Sequence, residues 1–152
     1  MEKLCGIDEA GRGPIAGPLV VSGVVLLEQI DGLNDSKILS EKKREKLFDE
    51  IKEKSKYHIV FTSAKTIDEI GLSAKPYCDE FLMDGNTSFG ISSLKWKIKA
   101  DATVPQVSAA SILAKVSRDR YMYGISEKYS KYNFEKHEGY GTKAHVEAIK
   151  EF

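Results

Sequence analysis

Apolar positions along this chain fall into two rhythms, one of strand length and one of helical spacing. Leu4 to Ile7 and Leu19 to Leu27 are short runs rich in Val, Leu and Ile, which predict strands. Between them Ala10-Gly11-Arg12-Gly13-Pro14-Ile15-Ala16-Gly17-Pro18 is dense in Gly and Pro, so the two runs are expected to pair antiparallel. Asp31-Gly32 marks a turn. Ser40 suits the N-cap of a helix reaching about Ser55, with Leu47, Phe48 and Ile51 on one face and Lys and Glu on the rest. Tyr57 to Ser63 reads as a strand, and Thr66 to Ile70 as a helical turn at most. Glu80 to Met83 predicts a short strand closed by Asp84-Gly85-Asn86, and Leu94 to Lys99 has the period-2 pattern of a half-buried one. Pro105 suits the first turn of a helix that carries Val107, Ile112, Leu113 and Val116 to about Tyr129. Lys143 to Phe152 predicts a final amphipathic helix. The order predicts an α/β fold, a mixed central sheet flanked by helices.

Composition narrows the class. The 152 residues suit a single domain spanning 1–152, long enough to fold without a disulfide or metal staple. Apolar residues make up 41% and charged residues 30%, which excludes a disordered or collagen-like chain. The apolar run from Leu19 to Leu27 is far too short to span a bilayer, so no membrane association is expected. The start at Met1 enters a strand almost at once, without a signal-peptide pattern, and the two cysteines form no disulfide framework. A cytoplasmic location follows as the expectation. Net charge is zero, which argues against holding nucleic acid by bulk charge. The halves differ, however: residues 1–85 hold 12 basic and 16 acidic side chains and residues 86–152 hold 11 and 7, so a basic region is available.

Four acids lie at or near strand ends. Asp8 and Glu9 follow Cys5-Gly6-Ile7, Asp84 ends the strand at Met83, and Asp101 follows the strand from Leu94. Taken singly, each has a plainer reading as a loop, turn or capping residue. If the strands are neighbours, the four converge, and such a cluster repels itself unless cations are present. Carboxylate-only ligation suits Mg²⁺ or Mn²⁺ and not Zn²⁺. Two such cations ~3.5–4 Å apart are a recurring device for in-line attack on a phosphodiester. Gly11-Arg12-Gly13 allows close backbone approach to a phosphate or ribose, or is merely a hairpin turn. Lys115, Arg118 and Arg120, with Ser108 and Ser111 earlier on the same helix, are either phosphate contacts or a solvated face. Ser36 or Lys37 has the same two readings, and Tyr140 either stacks on a nucleotide or packs on the surface. His137 and His145 lack helical spacing and a Cys partner, so a zinc site is rejected.

The string Gly6-Ile7-Asp8-Glu9-Ala10-Gly11-Arg12-Gly13-Pro14-Ile15-Ala16-Gly17-Pro18 resembles ribonuclease HII, the type 2 ribonuclease H family. Asn34-Asp35-Ser36-Lys37, Met83-Asp84-Gly85, Ala100-Asp101, Ala109-Ala110-Ser111-Ile112-Leu113-Ala114-Lys115-Val116 and Gly139-Tyr140-Gly141-Thr142-Lys143-Ala144-His145 follow in the family's order. The resemblance implies an RNase H-like fold and a metal-dependent endonuclease. Such an enzyme would cleave the RNA strand of RNA–DNA hybrids, and single ribonucleotides in duplex DNA, leaving a 3′-hydroxyl and a 5′-phosphate. It further implies that Asp8, Glu9, Asp84 and Asp101 are the catalytic metal ligands for two divalent cations. Gly11, Arg12 and Gly13 would read the ribose 2′-OH, Tyr140 would stack on the next sugar, and Lys37, Ser111 and Lys115 would line the phosphate path. A monomer is expected. The chain departs from the family pattern in a short connection between residues 70 and 81 and in an early C-terminal end. Three other readings stand beside this one: a non-catalytic nucleic-acid-binding module of the same fold, a ribonuclease HIII-like enzyme, and a 3′–5′ exonuclease with four acids.

Overall fold

The computed structural model describes residues 3–61 and 77–152. Its strands are β1 (Leu4–Ala10), β2 (Val20–Leu26), β3 (Ser55–Phe61), β4 (Glu80–Asp84) and β5 (Leu94–Lys97). Its helices are α1 (Glu41–Lys54), α2 (Ala100–Thr103), α3 (Pro105–Lys128), α4 (Phe134–His137) and α5 (Lys143–Glu151), with a 3-10 turn at Ser130–Tyr132. The five strands form one mixed sheet in the order β3-β2-β1-β4-β5. β1 pairs antiparallel with β2 and parallel with β4, so the strand with two acids occupies the centre. The mixed α/β architecture agrees with the expectation from the sequence.

Two apolar layers sandwich the sheet. On one face Val24 packs with Leu47, Phe48 and Ile51 of α1 and Ala109, Ile112 and Leu113 of α3. On the other, Cys5, Ile7, Val21, Val25, Phe81 and Met83 cluster together. Burial on both faces explains why β1 and β2 read as continuous apolar runs rather than alternating ones. α3 lies very close to the sheet because the contact residues are small: Gly6 in β1, Ser22 in β2, Ala109 and Ala110 in the helix. Ser22 Oγ donates to the carbonyl of Ala110 at 2.6 Å. The helix ends match expectation: Ser40 accepts from the Lys43 amide, and Pro105 sits in the first turn of α3. Among the described residues no helix is long and apolar enough to cross a membrane.

Some element boundaries differ from the sequence reading. β1 runs on through Asp8 and Glu9 to Ala10, because the ladder with β2 continues to Glu9↔Val21 and Ala10↔Val20. Backbone pairing needs no apolar side chain, so hydropathy stopped the strand too early. β5 ends at Lys97, opposite Asp84 where its partner ends, and Lys99 turns left-handed at φ 58°. Asp101 therefore sits in the short helix α2 and not at a strand end. β3 spans Ser55–Phe61 where Tyr57 to Ser63 was expected. Residues 62 and 63, the predicted turn at 66–70 and most of the short connection before residue 81 lie outside the described residues.

The thiol of Cys5 is buried, and desolvation pushes its pKa up to about 12. At pH 8 only about one Cys5 in 10⁴ would be thiolate, the form that reacts with alkylating agents. Cys5 in the native protein should therefore resist iodoacetamide and become labelled at an ordinary rate only in denaturant. Peptide mapping after timed labelling checks this.

Candidate active site

Strand register brings the acids together. Asp8 lies two residues beyond Gly6 on β1, and Asp84 two beyond Leu82 on β4, and Gly6 pairs with Leu82. Asp8 and Asp84 thus project from the same sheet face at adjacent strand ends. Asp101 reaches them from α2, which docks on the end of β4: Asp84 Oδ1 accepts the Ala100 amide at 2.7 Å. Asp8, Asp84 and Asp101 each offer an oxygen, and the three oxygens lie within 4.8 Å of one another. Glu9 projects to the opposite side of β1, but at the strand end its carboxylate still borders the same cleft. Sequence reasoning anticipated that both neighbours reach one site only near a strand end.

This cluster is electrostatically costly. Asp8 is only 7% exposed, and burial, then the charge of Glu9, push its carboxyl well above the usual range. Burial also raises Glu9, against the opposing pull of Arg12, whose guanidinium lies 3.0 Å from Glu9 Oε1. Asp101 is raised by burial, then by Asp84 and by Asp35. Glu9 Oε2 is buried with no hydrogen-bond partner among the described residues. An all-oxygen donor set, a carboxylate oxygen left unsatisfied and crowded like charges fit a hard divalent cation, and the residues present match that group.

The raised carboxyl of Asp8 has a pH signature. An acid whose pKa is raised on folding holds its proton in the native state after the unfolded chain has released it. Stability therefore falls as pH rises from about 3.8 through the raised value. Asp8→Asn removes this penalty. In chelator, the melting temperature of the variant minus that of wild type should widen as pH rises from 4 to 7. A gap independent of pH would show that ionisation of Asp8 costs the fold nothing.

A cleft of about 310 Å³ opens over the acids. Asp8, Glu9, Asp84, Gly11, Arg12, Gly13, Lys37, Ser111, Lys115 and Tyr140, all singled out in the sequence, line it, while Asp101 stands behind with Asp8 and Asp84. Gly11 takes φ 105°, which an L-residue rarely adopts. Tyr140 is 47% exposed, and a Cβ at Gly13 would stand 3.3 Å from its ring, so loop and ring are in near contact. Arg12 also lies over the Phe89 ring, 5.3 Å from its centroid. Ser111 Oγ donates to Ser36 Oγ at 2.7 Å and so ties the 34–37 loop to α3. Lys115 Nζ is held by Asp119 at 2.7 Å and Glu138 at 2.5 Å.

Several assignments change. Arg118 is not on a solvated face: it is 1% exposed and donates to backbone carbonyls. Arg120 pairs with Glu45 on α1, away from the cleft. Asp35 also stands beside Asp101, and sequence alone does not mark it, because a loop acid carries no periodic signal. The histidines rejected as zinc ligands stack on each other, ring centroids 4.2 Å apart, beneath the Tyr140 turn. His145 Nδ1 donates to the Tyr140 carbonyl at 2.7 Å. Their proximity depends on the turn between α4 and α5, which sequence spacing does not report.

The model of the family described as Ribonuclease HII matches residues 5–80 and 67–152. The ribonuclease HII of Aliarcobacter butzleri (strain RM4018) is 69% identical over 165 residues, covering 100% of this chain and 86% of that protein. That of Sulfurovum sp. (strain NBC37-1) is 53% identical over 163 residues, covering 99% and 86%. Among solved structures, the RNase HII of Archaeoglobus fulgidus, determined in complex with PCNA, superposes with a TM-score of 0.75 at 29% identity. The superposition covers 98% of this chain and 87% of that one.

Proposed function

The chain belongs to the ribonuclease HII family, metal-dependent hydrolases that cleave the RNA of RNA–DNA hybrids, and we propose how its own residues perform that cleavage. Asp8, Glu9, Asp84 and Asp101 would hold two divalent cations, Mg²⁺ or Mn²⁺. The observation that carries this reading is the convergence of three aspartate oxygens within 4.8 Å beside the unsatisfied Glu9 oxygen. When bound, such cations acidify an attacking water and neutralise charge on the leaving 3′-oxygen.

The other groups select and orient the strand. Gly11 and Gly13 leave the loop backbone open to a ribose, so its amides and carbonyls reach a 2′-hydroxyl, the group that distinguishes RNA from DNA. Arg12, restrained by Glu9 and Phe89, flanks that position. Tyr140 offers its exposed ring to the following sugar, which assigns the enzyme RNA–DNA junctions and single embedded ribonucleotides besides continuous hybrids. Lys37, Ser111 and Lys115 follow the phosphates, with Ser111 acting chiefly by fixing the loop of Ser36 and Lys37. Residues 1–152 act as one catalytic unit and as a monomer. Two cysteines that form no disulfide fit a cytoplasmic setting.

The test is a duplex with one ribonucleotide and blocked ends, incubated with Mg²⁺ or Mn²⁺. One internal cut leaving a 3′-hydroxyl and a 5′-phosphate is expected, with an all-DNA duplex uncut. Binding without product would assign a non-catalytic module, and no reaction until an end is freed would assign an exonuclease.

A further inference from the structure

We propose that Arg118 is a positioning residue that fixes the glycine loop against Tyr140 and so sets the preference for a ribonucleotide at a junction with DNA. This role rests on the reading of that loop and ring given above. Arg118 lies inside α3, and its three nitrogens donate to three backbone carbonyls from two distant segments. Nε donates to Pro18 at 3.1 Å and Nη2 to Ala16 at 3.0 Å, both in the segment that continues the glycine loop. Nη1 donates to Glu138 at 2.8 Å, two residues before Tyr140. The two segments also meet directly, with the Ile15 and Ala16 amides donating to the Gly139 carbonyl at 2.9 and 3.1 Å.

The seam has no slack. A Cβ at Gly11 would stand 2.5 Å from Arg118 Nε, so the guanidinium forms the floor under the loop. A Cβ at Gly139 would stand 2.0 Å from the Ala16 oxygen. Among the described residues Arg118 makes no side-chain ion pair; each of its three nitrogens donates to a backbone carbonyl. A planar fork with five donors can bridge separate carbonyls at fixed angles, whereas a lysine ammonium is a single point and cannot span them. An arginine needed only for stability could sit anywhere in the core, but this one joins the two segments that flank the cleft.

The experiment compares Arg118→Lys, Tyr140→Ala and the double variant on two substrates, a duplex with one ribonucleotide and a continuous RNA–DNA hybrid. Thermal melts with and without Mn²⁺ accompany the kinetics. In Arg118→Lys the ratio of kcat/KM for the single-ribonucleotide substrate to that for the hybrid should fall at least tenfold. The rise in melting temperature on adding Mn²⁺ should match wild type, since the carboxylates are untouched. The double variant should lose less than the product of the single losses, because both substitutions act on one seam. A purely structural role would lower both substrates alike and leave the ratio unchanged, and that result overturns the proposal, as would strictly multiplicative losses. An unchanged ratio in Tyr140→Ala would overturn it as well, because the ring that Arg118 is held to position would then read nothing at the junction. Should Arg118→Lys fail to fold, Gly139→Ala opens the same seam with the guanidinium in place, and the same ratio decides.

Discussion

Asp101→Asn should abolish cleavage of a duplex carrying one ribonucleotide while leaving the duplex bound. Loss of a supporting partner of a metal ligand costs ~10–100-fold, and loss of a ligand costs more, on the order of 10³-fold. The substitution keeps shape and burial but removes one of the three clustered charges. The loop and Tyr140 are untouched, so affinity for the duplex should hold within a few-fold. The metal-free variant should also be more stable than wild type. Asp101 is raised by burial and by Asp84 and Asp35, so its ionisation at neutral pH works against folding. In chelator at pH 7 its melting temperature should therefore lie above that of wild type. Asp8→Asn should behave alike. Cleavage at wild-type rate by either variant would remove that residue from the metal ligands, and the melting curve separates that result from misfolding.

Gly6→Ala should be severely destabilising. A Cβ at Gly6 would lie 2.2 Å from the carbonyl carbon of Gln106 and 2.3 Å from the Val107 amide nitrogen, both backbone atoms in the first turn of α3. No side chain can rotate out of the way, so the helix itself must move. Overpacking typically costs ~1–3 kcal/mol, and with backbone on both sides the upper end or beyond is expected. Against a total stability of ~5–15 kcal/mol, a melting temperature lower by roughly 10 °C follows. Activity should suffer further, because Ser108 Oγ in α3 donates to the Asp101 carbonyl at 2.6 Å and would carry that acid away from Asp8. A melt unchanged within 2 °C or so would mean that the contact between β1 and α3 is far softer than its geometry.

Gly6 shows where sequence reading stops. It stood in the most distinctive string of the chain, yet nothing local tells that a helix beginning about 100 residues later rests on it. Helices α1 and α3 were legible because their caps and apolar faces are local properties, as with Ser40, Leu47 and Pro105. The acids were legible as strand-end carboxylates, though Asp101 arrives from a helical turn that only the Asp84 side chain explains. Arg118 misled for the opposite reason. Its charge suggests solvent or phosphate, and its burial depends on carbonyls at Ala16 and Pro18, 102 and 100 positions away in the chain.

The register of the sheet also orders events in time. β1, β2 and β3 pair between neighbours along the chain and can form as soon as residue 61 is available. The parallel pairing of β1 with β4 closes a span of 76 residues, Leu4 to Glu80, and Asp101 joins later still. Contacts of such separation form slowly because the chain entropy is lost before the contact is gained. The three aspartates are therefore expected to meet, and to repel one another, only after the first half of the sheet has paired. Divalent cations should accelerate that last phase of refolding and leave the earlier one unchanged.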